Sequence, residues 1–331
     1  MAKTRIAING FGRIGRLTFR NLLKNKDVEV VAINDLTDND TLVHLLKYDS
    51  AHGKFDGTIS STDNSLVVNG NSIIATAIRN PAELPWKENN IDVVLECTGI
   101  FTTREKASMH LSAGAKKVVL SAPAKSADIK TIVLGVNDDE LTGEEDILSN
   151  ASCTTNCLAP VCKIIDENWG FQRGSLTTTH AYTADQNIQD APHRDLRRAR
   201  AAAYNIVPTS TGAAKAVGLV YPAVQNKMFA MAIRVPVITG SLIELNVLVD
   251  KNVTVEEINA KFKEYADGPM NGVLEFCTDP IVSSDIVGNK HSSIFDSQLT
   301  DVLEGNLVKV VSWYDNEAGY SARLADLTAR V

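Results

Sequence analysis

The chain has 331 residues, a formal net charge of −7, 44% hydrophobic and 22% charged residues, an ordinary soluble composition long enough for two cores. No global basic field argues for nucleic acid, no apolar run approaches the roughly 20 residues of a membrane span, and the opening Met1-Ala2-Lys3-Thr4-Arg5-Ile6 lacks the apolar core of a signal peptide. Five cysteines without a paired framework fit a reducing cytosol, and no Cys/His spacing resembles a metal site.

The first half alternates short apolar strands with helical patterns. Strands are expected at Arg5–Asn9, Val28–Asn34, Ile91–Cys97, Lys117–Ser121 and Thr131–Val136, with helices at Ile14–Lys24 and Arg104–Ala113 between them. Such alternation argues a parallel sheet with helices on its faces. Val67-Val68 and Ile73-Ile74 around Asn69-Gly70-Asn71 read as a hairpin excursion. After Cys153 the strands lengthen, at Gly174–Tyr182, Phe229–Val237, Leu242–Asp250 and Leu307–Tyr314, with helices at Gly212–Gly218 and Val255–Ala266. That texture suggests a largely antiparallel sheet covered on one face. The expectation is an α/β chain of two domains: a Rossmann-type parallel-sheet domain over residues 1–151 and an α+β domain with a mainly antiparallel sheet over 152–315. Asn316–Val331 reads as a final helix.

Gly10-Phe11-Gly12-Arg13-Ile14-Gly15 follows a strand and opens a helix. In a dinucleotide fold the first glycine makes the tight turn, the second admits the pyrophosphate, and the third lets helix pack on strand. The helix N-terminus then faces the phosphates. A second strand ends at Asn34-Asp35, about 20 residues past Gly15, where a carboxylate accepts from ribose hydroxyls and repels a 2′-phosphate. The expected cofactor is therefore NAD.

Ser149-Asn-Ala-Ser-Cys153-Thr-Thr-Asn-Cys157 passes from a polar segment into the helical pattern Cys157, Leu158, Val161, Ile164, Ile165. A cysteine at a helix N-terminus faces unpaired N–H groups and the positive end of the dipole, which favour the nucleophilic thiolate. A thiolate beside a nicotinamide cofactor suggests aldehyde oxidation through a thioester. Cys153 needs a base, and His180, at the end of a strand in the same domain, is the best placed of six histidines. His44, His52, His110, His193 and His291 have no comparable context. Cys157 reads as a small buried residue, and Cys97, Cys162 and Cys277 as core cysteines. Thr183–Ile206 is a long polar segment carrying Arg194, Arg197, Arg198 and Arg200. A loop of that length inside a compact domain is usually functional or disordered, and its arginines suit phosphate.

Together these residues resemble the phosphorylating, bacterial glycolytic glyceraldehyde-3-phosphate dehydrogenase family, from Arg5 to the C-terminus. The most specific motif is Ala151-Ser-Cys-Thr-Thr-Asn-Cys-Leu158; Asn9–Gly15, Asn34-Asp35, His180–Thr183, Asp195–Arg200, Thr209–Gly212, Arg234-Val-Pro and Ser312–Glu317 support it. The resemblance implies a Cys153 nucleophile, a His180 base and an Asn316 that holds the nicotinamide carboxamide. It implies further cofactor contacts at Gly10, Gly12, Arg13, Ile14, Gly15, Asp35, Arg79 and Ser121. Thr183 and Arg234 would bind the phosphate of D-glyceraldehyde 3-phosphate. Ser152, Thr154, Arg198, Thr211 and Gly212 would bind the attacking inorganic phosphate. It also implies a homotetramer and a C-terminal helix, 316–331, that returns to the cofactor domain; composition and cysteine usage add the expectation of a cytoplasmic chain with no nucleic-acid or membrane partner indicated. One departure is Ala191 before Pro192, where NAD-using relatives commonly carry leucine; the small residue relaxes the steric block against NADP while Asp35 keeps the electrostatic one. The same residues leave open an erythrose-4-phosphate dehydrogenase, in which water resolves the thioester, and a cofactor-independent cysteine acyltransferase or hydrolase.

Overall fold

The structure, a computed structural model, describes residues 3–331. They form two compact units. One holds the described residues through Ile132, Glu140–Ala151 and Ser321–Val331; the other holds Val133–Asp139 and Ser152–Tyr320.

In the first unit, β1 (Thr4–Asn9), α1 (Arg13–Leu22), β2 (Val28–Asn34) and α2 (Asn39–Lys47) lead into β3 (Ile59–Thr62), β4 (Ser65–Val68) and β5 (Asn71–Thr76). Then come β6 (Val93–Glu96), α3 (Arg104–Ser112), β7 (Lys117–Leu120), β8 (Lys130–Thr131) and β9 (Ile147–Ser149). The sheet order is β3-β4-β5-β2-β1-β6-β7-β9-β8. From β5 to β8 every pairing is parallel, and only β3 and β4 are antiparallel. The parallel strands are apolar on both faces, as sheets covered on both sides require: Ala7, Ala32, Trp86, Ile91 and Val94 form one cluster, and Ala107, Val118, Leu120, Ile129 and Ile147 another. The β4–β5 hairpin turns through Asn69 (φ 52°) and Gly70 (φ 81°), the two left-handed residues that a two-residue hairpin turn demands.

One expected strand is largely absent. Of Thr131–Val136 only Thr131 lies in a strand, as the last residue of the two-residue β8. Beyond it the Asn137 side chain accepts from the Val133 N–H, the Asp138 side chain accepts from the Gly135 N–H, and Gly135 sits at φ 83°. These local side-chain bonds take the backbone away from a ladder.

The second unit contains α4 (Cys153–Trp169), β10 (Phe171–Ala181), β11 (Val207–Thr209), α5 (Ala213–Val220), β12 (Met228–Val235), β13 (Ser241–Val249) and α6 (Val255–Asp267). It continues with β14 (Leu274–Cys277), β15 (Ser293–Asp296), β16 (Asp301–Leu303) and β17 (Leu307–Tyr314); α7 (Ala318–Arg330) closes the chain. The strand order is β11-β12-β10-β13-β17-β15-β14, with β16 also on β17. Most pairings are antiparallel, but β10–β12 and β14–β15 are parallel. Strand β13 shows the clean alternation of a half-covered sheet: Ile243, Leu245, Val247 and Val249 are buried and their neighbours partly exposed.

Helix α4 packs on β10, β13, β15 and β17. Its Leu158, Val161, Ile164 and Ile165 are fully buried, worth roughly 1.5–3 kcal/mol each. That outweighs the cost, about 3 kcal/mol, of Pro160 in the helix interior. Thr183–Ile206 contains no helix or strand. No helix among the described residues is long and apolar enough to cross a membrane.

Candidate active site

Both candidate sites grow from the ends of strands. In the second unit the Ser152 hydroxyl caps α4 by accepting from the Thr155 N–H (3.1 Å). That leaves Cys153 as the first helical residue. Just ahead, Ala151 adopts φ 57° while wholly buried, a left-handed turn that costs a non-glycine residue roughly 1–2 kcal/mol.

His180, next to last on β10, stands in register with Arg234 on the parallel strand β12. The parallel pairing thus brings together two residues far apart in sequence. The Cys153 Sγ lies 3.4 Å from His180 Nε2. On the other side of the ring, His180 Nδ1 lies 2.7 Å from the Ala181 carbonyl and 2.8 Å from Arg234 NH1, which also donates to that carbonyl at 2.9 Å. Nδ1 can serve only one of the two. Donation to Ala181 leaves Nε2 bare and able to take the thiol proton; acceptance from Arg234 puts the proton on Nε2. The buried Nε of Arg234 has no hydrogen-bond partner.

Electrostatics oppose one expectation. Burial raises the Cys153 thiol, although Arg234 and the Thr154 hydrogen bonds pull it down. Burial, followed by Arg234, pushes His180 down to about 3. Burial thus opposes the thiolate that the helix terminus favours, and opposes charge on the imidazole.

Tyr314, on β17, is a residue that motif reasoning gave no role. Its buried hydroxyl bonds the hydroxyls of Thr154 (2.8 Å) and Thr178 (2.9 Å), and its ring meets His180 edge to face at 5.8 Å. It ties the start of α4 to β10. The available signal was the strand period, which places Tyr314 on the same inward face as Val308, Val310 and Ser312; a buried phenol there needs polar partners.

Arg198 lies in the long loop and donates from Nε to the Thr209 hydroxyl (3.0 Å), from NH2 to the Ser210 carbonyl (3.4 Å) and from NH1 to Asp185. The Thr211 hydroxyl accepts from the Ala213 N–H (3.2 Å), and Gly212 opens α5 without a side-chain cap. Arg198, Thr211 and Gly212 are thus gathered at one helix start. Thr183 lies at the head of the same loop. Asn316 is held rigidly: its Oδ1 accepts from the Gly240 N–H (3.2 Å) and the hydroxyls of Ser241 (2.9 Å) and Thr239 (3.4 Å). Its Nδ2 is the end left to donate. Cys157 is buried against Ser293, and burial pushes its thiol to about 12.

In the first unit a cavity of about 460 Å³ opens at the carboxyl ends of the parallel strands, lined by Gly10, Gly12, Asp35, Arg79, Cys97 and Thr98 among others. This is where open α/β sheets bind ligands. Gly10 has φ 92°, and a Cβ there would lie 2.8 Å from the Cys97 carbonyl carbon and the Thr98 nitrogen. Gly15 packs so closely on the Gly10 carbonyl that no side chain fits. Helix α1 begins at Arg13 with no side-chain cap, so its first N–H groups remain available to an anion. The Arg13 guanidinium is committed elsewhere, to Asp49 (2.9 Å) and His52 (3.1 Å). What Arg13 and Ile14 offer at the loop is backbone. Asp35 accepts from the Phe11 N–H (2.7 Å). Cys97 departs from the core reading: it is partly exposed and lines this cavity, with a thiol that burial raises to about 12 despite a hydrogen bond with Ser121. The donor set, the two glycines without room for a side chain and the Asp35 carboxylate all fit a dinucleotide. All five cysteines are free, and no metal-binding cluster occurs among the described residues.

Comparison with known proteins agrees with both halves. Residues 4–104 match the NAD binding domain, and residues 152–316 the C-terminal domain, of glyceraldehyde 3-phosphate dehydrogenase. The chain is 56% identical over 328 residues to the glyceraldehyde-3-phosphate dehydrogenase of Geobacillus stearothermophilus and 54% identical over 328 residues to glyceraldehyde-3-phosphate dehydrogenase 1 of Bacillus subtilis strain 168. It is 57% identical over 334 residues to that of Mycobacterium avium; each match covers 99% of this chain and 98% of the relative.

Proposed function

The chain belongs to the glyceraldehyde-3-phosphate dehydrogenase family, an NAD-dependent enzyme family, and from that premise we propose that it converts D-glyceraldehyde 3-phosphate and inorganic phosphate to 1,3-bisphosphoglycerate through a thioester on Cys153. The observation that carries the mechanism is the 3.4 Å approach of Cys153 Sγ to His180 Nε2 at the start of α4.

In the Nδ1–H tautomer His180 takes the thiol proton as Sγ attacks the aldehyde carbon, hands it from Nε2 to the oxyanion to give the thiohemiacetal hydroxyl, and takes it back as hydride departs and the thioester carbonyl forms. The Cys153 backbone N–H, at the helix start, and the imidazolium stabilise the oxyanion. NAD, when bound, supplies the hydride acceptor. Asn316 presents Nδ2 to its carboxamide. Gly10, Gly12, Gly15 and the backbone of Arg13 and Ile14 cradle the pyrophosphate, Asp35 takes the ribose, and Arg79 and Ser121 add outer contacts. Asp35 favours NAD over NADP by charge.

Two anion sites complete the scheme. The unpartnered Nε of Arg234, with Thr183, receives the substrate phosphate. Arg198, Thr211 and Gly212, with Ser152 and Thr154, receive the attacking phosphate. Residues 1–151 with the C-terminal helix serve the cofactor, and 152–315 the chemistry. Free cysteines support a cytoplasmic location. The exposed sheet face with Phe229, Met231, Leu303 and Leu307, and the apolar loop residues Ile188, Leu196 and Tyr204, supply contact surfaces for a homotetramer.

The test is NADH formation from NAD and D-glyceraldehyde 3-phosphate with and without inorganic phosphate. Strongly phosphate-dependent reduction is expected. Equal rates without phosphate would replace phosphorolysis with hydrolysis; no reduction by folded, reduced protein would remove the substrate assignment.

A further inference from the structure

The first unit contains a buried carboxyl group that the proposed mechanism does not use. Glu96, the last residue of β6, is 1% exposed, and His110, on α3, is wholly buried beside it. The carboxyl ends of four neighbouring parallel strands carry Thr76, Asn34, Asn9 and Glu96 in cross-strand register. Their side chains form one hydrogen-bonded row.

The direction of every bond in that row is determined. Asn34 Oδ1 accepts from the Ile78 backbone N–H (2.9 Å) and the Thr76 hydroxyl (2.8 Å), and Nδ2 donates to the Ile78 carbonyl (2.9 Å). A backbone N–H cannot reverse its role, so the Asn34 amide has one orientation. Its Nδ2 then donates to Asn9 Oδ1 (2.7 Å), which turns Asn9 Nδ2 onto Glu96 Oε2 (2.6 Å). From the other side the Trp86 indole N–H, a donor only, reaches His110 Nδ1 (3.0 Å). His110 therefore carries its proton on Nε2 and donates it to the same Glu96 Oε2 (3.1 Å). Glu96 Oε1 accepts from the Thr98 N–H (2.7 Å) and the Thr98 hydroxyl. Four donors converge on one carboxylate.

The segments that leave this row line the cavity: Gly10 follows Asn9, Asp35 follows Asn34, Cys97 and Thr98 follow Glu96, and Ile78 and Arg79 lie just past Thr76. The glycine turn also passes within contact of Cys97 and Thr98, with no room for a Cβ. We infer that Glu96 is a positioning residue for the cofactor, the common acceptor that holds the glycine turn, the Asp35 strand end and the Thr98 segment in one binding geometry. His110 and Trp86 act through it, by fixing one of its donors. Glutamine cannot replace Glu96 without turning an N–H₂ group onto existing donors. The inference rests on NAD occupying this cavity.

The experiment is calorimetric titration of the full-length protein with NAD. Glu96→Gln is expected to raise Kd about tenfold or more, with kcat at saturating NAD and the iodoacetamide reactivity of Cys153 changed less than about threefold. Because that variant could fail to fold, a second pair decides independently. His110→Phe removes the donor to Glu96 from a position that does not line the cavity, and should raise Kd several-fold. His110→Gln keeps a donor in reach and should recover most of the wild-type affinity. Equal NAD affinity in His110→Phe and wild type, or an equal loss in Phe and Gln variants, overturns the inference. Wild-type protein that binds no NAD would overturn the cofactor reading instead.

Discussion

The two units bury polar networks of opposite character. In the row that ends on Glu96 each donor meets an acceptor and all directions agree. At Cys153 they do not: His180 Nδ1 faces both an acceptor and a donor, and the buried Nε of Arg234 faces neither. A satisfied network holds a shape, because every alternative leaves a group unpaired. An unsatisfied one is completed by what binds there, and its protonation can change at small cost. The contrast teaches where rigidity and where reactivity reside: the row on Glu96 is completed by the chain itself, while the thiol site keeps polar groups that the chain leaves unmatched.

The largest effect separates the two. Cys153→Ser should lower turnover by roughly 10⁴-fold or more and leave NAD affinity, measured calorimetrically, near wild type. A matching loss of NAD affinity would show that the networks are not independent. Next is Arg234→Gln. Arg234 lowers the Cys153 thiol and also lowers His180. Its removal should move the pH midpoint of iodoacetamide alkylation upward and raise the KM for D-glyceraldehyde 3-phosphate. A midpoint that stays put, or falls, would detach Arg234 from the pair. The smallest is Tyr314→Phe, which strips the bridge between Thr154 and Thr178. It should cost about 1 kcal/mol per lost bond in urea denaturation with a modest drop in kcat. Full activity with unchanged stability would mean that the strand packing alone places His180.

Much of the fold was legible because its signals are local. Apolar runs of strand length, the hairpin at Asn69-Gly70 and the Gly10–Gly15 turn each declare themselves within a few residues. The misread stretch, Val133–Val136, is apolar enough for a strand, but Asn137 and Asp138 divert its backbone with short-range side-chain bonds. Cys97 read as core because it follows a buried strand; its place in the cavity wall depends on where the glycine turn passes.

Sequence by itself determined the two-sheet architecture, the dinucleotide signature and a cysteine at a helix start, since strand period, turn chemistry and helix capping are properties of neighbouring residues. Tertiary structure alone decided which side chains meet. The parallel register that sets His180 beside Arg234, the single Tyr314 hydroxyl shared by two elements and the convergence of four donors on Glu96 are long-range events. So was the balance acting on the thiol, because the desolvation that raises it depends on everything packed around it and opposes the helix terminus visible in the chain.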